Sequence, residues 1–168
     1  QWQDKGLISG YEDGTFKPNN NITRAEFVLI LNNAMGFEKK GTVSFKDVKD
    51  NDWFKNAVAI AVGEGYTSGY QDGTFKPNAT ITRAEAAVMI AKAAGLENNE
   101  AETFKFSDNG SIPAWARGSV GAVVKAGYMS GYPDGTFGAI KSITRAEAVS
   151  SLNRMLLDAE ENQEVEES

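Results

Sequence analysis

The chain has 168 residues, with 17 Lys and Arg against 23 Asp and Glu and no histidine or cysteine. The missing cysteine removes disulfides, thiolate metal sites and thiol nucleophiles, and the missing histidine removes the commonest general base and metal ligand. Histidine-dependent triads and zinc sites are therefore excluded, and no cofactor is expected. The net charge of −6 lies wholly in Asp158, Glu160, Glu161, Glu164, Glu166 and Glu167, so residues 1–157 are formally neutral, which argues against a nucleic-acid partner.

No apolar run approaches the roughly 20 residues of a membrane span. No secretory leader is recognisable at the front, as would also hold for a processed secreted chain.

The elements come as a repeat. The phrase Ser9-Gly10-Tyr11-x-Asp13-Gly14-Thr15-Phe16, closed by Ile22-Thr23-Arg24-Ala25-Glu26, returns at Ser68 to Glu85 and at Ser130 to Glu147. Twelve of the 18 positions are identical in all three copies, which start 59 and then 62 residues apart. A period of this size defines stacked units sharing one core.

The first unit covers 1–36. Asp13-Gly14 predicts a tight turn, and Lys17-Pro18-Asn19 extends the chain into the next helix. Thr23 and Glu26 stand at capping-box spacing with Ile22 as a hydrophobic staple, and Phe27, Ile30, Leu31 and Ala34 follow at helical spacing up to a stop at Gly36. Counting back 59 residues from Trp53 places its equivalent before residue 1, and Trp2 aligns with Ala61. The leading helix of this unit is thus expected to be truncated.

The second unit, 37–95, begins with a connector (37–50) and a helix from Trp53-Phe54 through Val62, ending at Gly65. After its loop, with Asp72-Gly73 and Lys76-Pro77-Asn78, Ile81, Thr82 and Glu85 start a helix. Val88, Ala91 and Gly95 mark its course and end. The third unit, 96–157, repeats the order: a connector (96–111), Pro113 in a first turn, and Trp115-Ala116 through Val124 to Gly127. Its loop leads to Ile143, Thr144 and Glu147, and then Val149, Leu152, Met155 and Leu156. The small residues of the two leading helices predict close helix–helix approach in a central bundle. Residues 158–168 read as a solvated, frayed acidic linker.

Arg24, Arg83 and Arg145 carry the most information. Each occupies the first helical position, where the macrodipole disfavours a cation by a few tenths of a kcal/mol. A guanidinium beside free helix N–H groups suits a carboxylate or phosphate ligand. The alternative is pairing within the fold, with Asp13, Asp72 or Asp134; those aspartates are more readily turn formers than ligands, and Glu26, Glu85 and Glu147 are assigned to capping.

Calcium binding fails on spacing. With Gly14 at the sixth loop position, Ser9 and Tyr11 would take the first and third, and Asn20 the place of the bidentate glutamate. Asp13 and Glu26 could face each other as a glycosidase pair, but three equivalent catalytic pairs in one small chain argue for a binding module. The chain is therefore read as a non-enzyme. Tyr11, Tyr70, Tyr132, Phe16, Phe75 and Phe137 are read mostly as core, while Trp53 and Trp115 either pack or wall a groove where a sugar could stack.

The three blocks, the preceding Phe45-Lys46-Asp47 and Phe106-Ser107-Asp108, and the helices behind them resemble the S-layer homology domain over about residues 1–157. The resemblance implies a mainly α fold. Three helix–loop–helix repeats would form a pseudo-threefold, three-pronged arrangement around a central helical bundle, with grooves between repeats. It also implies a secreted, cell-surface protein anchored non-covalently to secondary cell wall polysaccharide. The implied epitope is pyruvylated N-acetylmannosamine, its carboxylate met by Arg24, Arg83 and Arg145. Ser9, Ser68, Ser130, Gly10, Gly69, Gly131, Asp13, Asp72 and Asp134 would line or shape the same grooves. A surface-layer lattice or oligomerisation module with internally paired arginines is the alternative. Two departures stand out: the third loop has Gly138-Ala139-Ile140-Lys141-Ser142 in place of Lys-Pro-Asn, which predicts a different shape there. The truncated first unit would also remove one groove wall.

Overall fold

A computed structural model describes residues 20–167. Ser9, Gly10 and Asp13, with the rest of the first loop, lie outside the described residues. Among the described residues the fold is helical: α1 (Arg24–Met35), α2 (Lys55–Gly63), α3 (Arg83–Ala93), α4 (Ala114–Lys125) and α5 (Arg145–Glu167). Two 3-10 segments, Glu100–Lys105 and Asn109–Ser111, occupy the connector before α4.

The Thr-Arg-Ala-Glu phrases start their helices as expected. Thr23 and Thr82 accept from the N–H of Glu26 and Glu85, whose carboxylates accept in return from the threonine N–H groups. Thr144 and Glu147 exchange the same two bonds at α5. Each such cap contributes about 1 kcal/mol. Gly36 takes the left-handed conformation that ends α1, with φ 66°.

Just ahead of the caps the three copies meet. The Ile22 N–H donates to Ile143 O at 3.3 Å, Ile143 N–H to Ile81 O at 2.9 Å, and Ile81 N–H to Ile22 O at 3.1 Å. The ring closes on itself, and all three isoleucine side chains are fully buried. Isolated antiparallel bridges flank it at Asn21–Thr144, Thr23–Thr80 and Thr82–Ser142. This cyclic pairing is compatible with the pseudo-threefold arrangement that the family resemblance implies.

Around the ring, α1 packs against α2 and α3 against α4. Asn32 of α1 donates to Ala57 O at 2.9 Å and accepts from the Tyr66 hydroxyl at 2.6 Å, so a buried amide joins first and second units without an unpaired atom. Phe27, Leu31, Phe75, Ile90, Phe137 and Leu152 fill the core between.

Several expectations change. The helix α2 starts at Lys55, after Trp53 and Phe54, and Pro113 stands at the N-cap of α4, one residue ahead of the first turn. At the glycines of α4 the close partner is the connector backbone, not another helix. A Cβ on Gly121 would lie 1.6 Å from Asn99 O, and the Asn99 N–H donates to Gly118 O. The acidic segment is no frayed linker. It continues α5 to Glu167, exposed throughout, because Glu, Gln and Ala propagate a helix already nucleated and packed.

The third loop keeps the frame of the second despite its changed residues. Asp47 accepts from the N–H groups of Phe75 and Lys76, and Asp108 accepts from those of Phe137 and Gly138. Lys76 and Gly138 share a positive φ of 57° and 71°. An ammonium lies over the motif tyrosine in both, from Lys76 at 4.4 Å and from Lys141 at 4.6 Å. The aspartate clamp fixes the backbone, so lysine can arrive from either side of it.

Candidate functional site

The three motif arginines are 3–4% exposed and each reaches into the next unit around the ring. Arg24 Nη1 donates to Glu85 Oε2 at 2.5 Å, Arg83 Nη1 to Glu147 Oε2, and Arg145 Nη1 to Glu26 Oε2 at 2.6 Å. The pairing within the fold is thus with the capping glutamates and not with Asp72 or Asp134. One carboxylate oxygen caps its own helix and the other accepts the arginine of the preceding unit. Arg24 Nε also donates to Phe75 O at 2.8 Å, and Arg83 Nε to Phe137 O at 2.9 Å. The guanidinium of Arg24 stacks on Tyr70 and Phe75, and that of Arg83 on Tyr132 and Phe137. Charge pairing, hydrogen bonds and ring faces together compensate the desolvation of a buried cation.

The helix N-termini offer nothing to a ligand. The N–H groups of Arg24 and Ala25 donate to Ala79 O and Pro77 O, and those of Arg83 and Ala84 to Lys141 O and Ala139 O. The third free N–H is taken by the threonine cap. An anion site built on open helix N–H groups is therefore ruled out at α1 and α3; any anion must be met by what the guanidinium has left.

That differs between two grooves. The larger, about 580 Å³, is assembled from all three units. Arg24 comes from the first, Ser68-Gly69-Tyr70 and the α3 face Glu85-Val88-Met89-Lys92 from the second, and Pro113, Trp115, Ala139 and Ile140 from the third. Arg24 uses Nε and Nη1, and its Nη2 has no hydrogen-bond partner among the described residues. A smaller groove of about 350 Å³ holds Arg83, Ser130, Gly131, Tyr132, Glu147 and Arg154. There Arg83 Nη2 donates to Ser130 O at 2.6 Å, so all three guanidinium nitrogens are committed.

Of the candidate residues, Ser68, Gly69, Arg24 and Trp115 meet in the first groove, and Ser130, Gly131 and Arg83 in the second. Trp53 and Trp115 are 63% and 62% exposed, which settles both as surface residues; Trp115 lines the larger groove. Asp72 and Asp134 are in neither lining. Each accepts from the N–H and hydroxyl of Thr74 or Thr136 in an Asx turn. Those bonds hold both carboxyls below the usual range, the hydroxyl bond contributing most. They shape the loop rather than face the groove. The loop signal gave no warning of Lys92, Ile140 and Pro113, which join the site only through packing between units.

Tyr70 donates its hydroxyl to Glu85 Oε2 at 2.5 Å. Burial first, and then this bond, push its pKa up to about 12 against the opposing field of Arg24. Glu85 therefore accepts from Arg24, Tyr70 and two backbone N–H groups at once.

A sequence profile of the S-layer homology domain matches residues 2–28, 44–87 and 105–149, more than half of the chain. The chain belongs to the S-layer homology domain family. It is 35% identical, over 92% of its length, to Cell surface glycoprotein 1 of Acetivibrio thermocellus, of which it spans 7%. It is 37% identical over 89% of its length to the Cellulosome-anchoring protein of the same organism, spanning 35% of that protein. Identity is also 37% to the Surface-layer 125 kDa protein of Lysinibacillus sphaericus, over 76% of this chain and 11% of that protein. Among the described residues no helix is long and apolar enough to cross a membrane.

Proposed function

We propose that the chain is a non-catalytic module that holds a secreted protein on a bacterial cell wall by binding an acidic wall polysaccharide. The acid group, a pyruvate ketal on N-acetylmannosamine, is met by Arg24, and the sugar lies against Trp115. One observation carries this reading: Arg24 is 97% buried by its neighbours yet keeps Nη2 unpaired at the wall of a 580 Å³ groove. A planar guanidinium with one free edge suits a carboxylate, and the exposed indole offers a face for the ring. The surface-layer and anchoring names of its relatives support the same assignment.

Calorimetry with purified wall polymer, before and after mild acid removal of pyruvate, tests it. Binding is expected only to the pyruvylated polymer. Equal affinity for both forms would remove the carboxylate contact from the mechanism.

Internal pairing of the arginines is also what a lattice module requires. Sedimentation velocity separates the readings, because self-association that ignores added polymer supports the lattice role.

A further inference from the structure

The two grooves contain the same Ser-Gly-Tyr sequence in two backbone states. Gly69 has φ +74°, whereas Gly131 lies outside the left-handed range. The hydrogen bonds follow this difference. Ser130 O accepts from Arg83 Nη2 at 2.6 Å, while Ser68 O takes no bond from Arg24. The flanking structure is otherwise matched: Tyr70 and Tyr132 each pair with the threonine four residues on, at 2.8 Å. Phe75 O and Phe137 O both accept from the arginine Nε. Rotation of one peptide plane, with its ends held, accounts for the difference. Only glycine reaches both signs of φ without a steric penalty.

We propose that the Arg83 groove is a second carboxylate site, held shut by the Ser130 carbonyl. It opens when the Ser130–Gly131 peptide turns into the arrangement that Ser68–Gly69 already has. In the closed state the Ser130 oxygen sits where a ligand carboxylate oxygen would bind Arg83, and the groove is correspondingly small, 350 Å³ against 580 Å³. A carboxylate entering there must first displace that carbonyl, so part of its binding energy goes into the turn. The Arg24 groove carries no such cost. The chain therefore has a ready site and a latent one. This inference rests on the reading of the Arg24 groove as a carboxylate site.

Alanine at either glycine is a poor probe, because a Cβ would lie 2.3 Å from Phe45 Cε1 at Gly69 and 2.5 Å from Phe106 Cε1 at Gly131. The test is heteronuclear NMR of the whole chain with both glycines assigned, titrated with the methyl glycoside of pyruvylated N-acetylmannosamine. Gly69 is expected to saturate first. Gly131 should saturate at a ligand concentration higher by about tenfold or more, ending with carbon shifts like those of Gly69.

Equal midpoints, or a Gly131 that never moves once Gly69 is saturated, would overturn the proposal. A protein in which neither glycine responds would overturn the carboxylate reading itself. A ligand-free arm then decides the gate: Arg83→Lys keeps the charge near Glu147 but removes the second nitrogen. Gly131 should move toward the Gly69 shifts, and an unmoved Gly131 in the folded variant refutes the gate.

Discussion

The Arg24 and Arg83 grooves are built from the same twelve-residue identity, yet they offer different chemistry. In both, the arginine is buried, stacked on Tyr and Phe, and paired with the capping glutamate of the following unit. They part at one nitrogen and one wall. Arg24 keeps Nη2 unpaired beside Trp115 and Ile140, whereas Arg83 spends Nη2 on Ser130 and no tryptophan lines its groove among the described residues. The arginine is first a clasp between units, and it becomes a ligand only where the clasp leaves an edge over. A repeated motif therefore does not mean a repeated site.

The largest contrast should come from stability. Glu85→Ala removes a cap, a tyrosine acceptor and the partner of a 4%-exposed guanidinium, and is expected to cost about 3 kcal/mol in chemical denaturation. Glu147→Ala should cost about 1–2 kcal/mol, since the Glu147 side chain is 30% exposed and water can re-solvate its arginine. Equal losses would mean that burial does not distinguish the two clasps.

Binding should separate the grooves next. Arg24→Lys keeps a cation for Glu85 but loses the free Nη2, and affinity for pyruvylated polymer should fall about 10- to 100-fold by calorimetry. The same change at Arg83 should leave that main binding phase within about threefold. Trp115→Ala should weaken binding by about tenfold with an unchanged melting temperature, as expected for an exposed stacking face.

A smaller effect is expected at Ile140, which is 75% exposed at the lip of the larger groove where the preceding loop has Asn78. Ile140→Asn should reduce affinity by about threefold through lost apolar contact, measured in the same titration.

The pH response is the finest distinction. The pKa of Tyr70 is raised to about 12, so its folded form holds the proton more tightly than the unfolded chain does. Its contribution is complete below pH 10 and is lost between pH 10 and about 12. Tyrosinate absorbance followed alongside unfolding should show that loss, and Tyr70→Phe should remove it. Asp72 and Asp134 are lowered, so the stability they add is present above pH 3.8 and disappears as pH falls below it.

Much of this was legible along the chain, residue by residue. Thr23 with Glu26, and Thr82 with Glu85, form their boxes because both partners are three positions apart and one helical turn joins them. Gly36 and Gly95 close their helices for the same local reason. The loop aspartates were legible as turn formers, since Thr74 and Thr136 lie two positions away. Trp53 and Trp115 were not legible: identical in type and position, they could have packed or stood in solvent, and only the arrangement of neighbouring units exposes them. The acidic end was misread because composition reports solvation well and helix propagation poorly.

Order along the chain thus specified the caps, the turns, the three units and the chemistry that is absent. It could not specify the partner of each arginine. The clasping glutamates lie 61, 64 and 119 residues away, and no short-range rule selects them over a nearer aspartate. The same holds for the free edge of Arg24. It depends on how one Ser-Gly peptide is turned and on a wall borrowed from the third unit. Interactions within one turn are set by spacing alone. Interactions between units are set by which buried groups find their complement once all three have closed around the isoleucine ring.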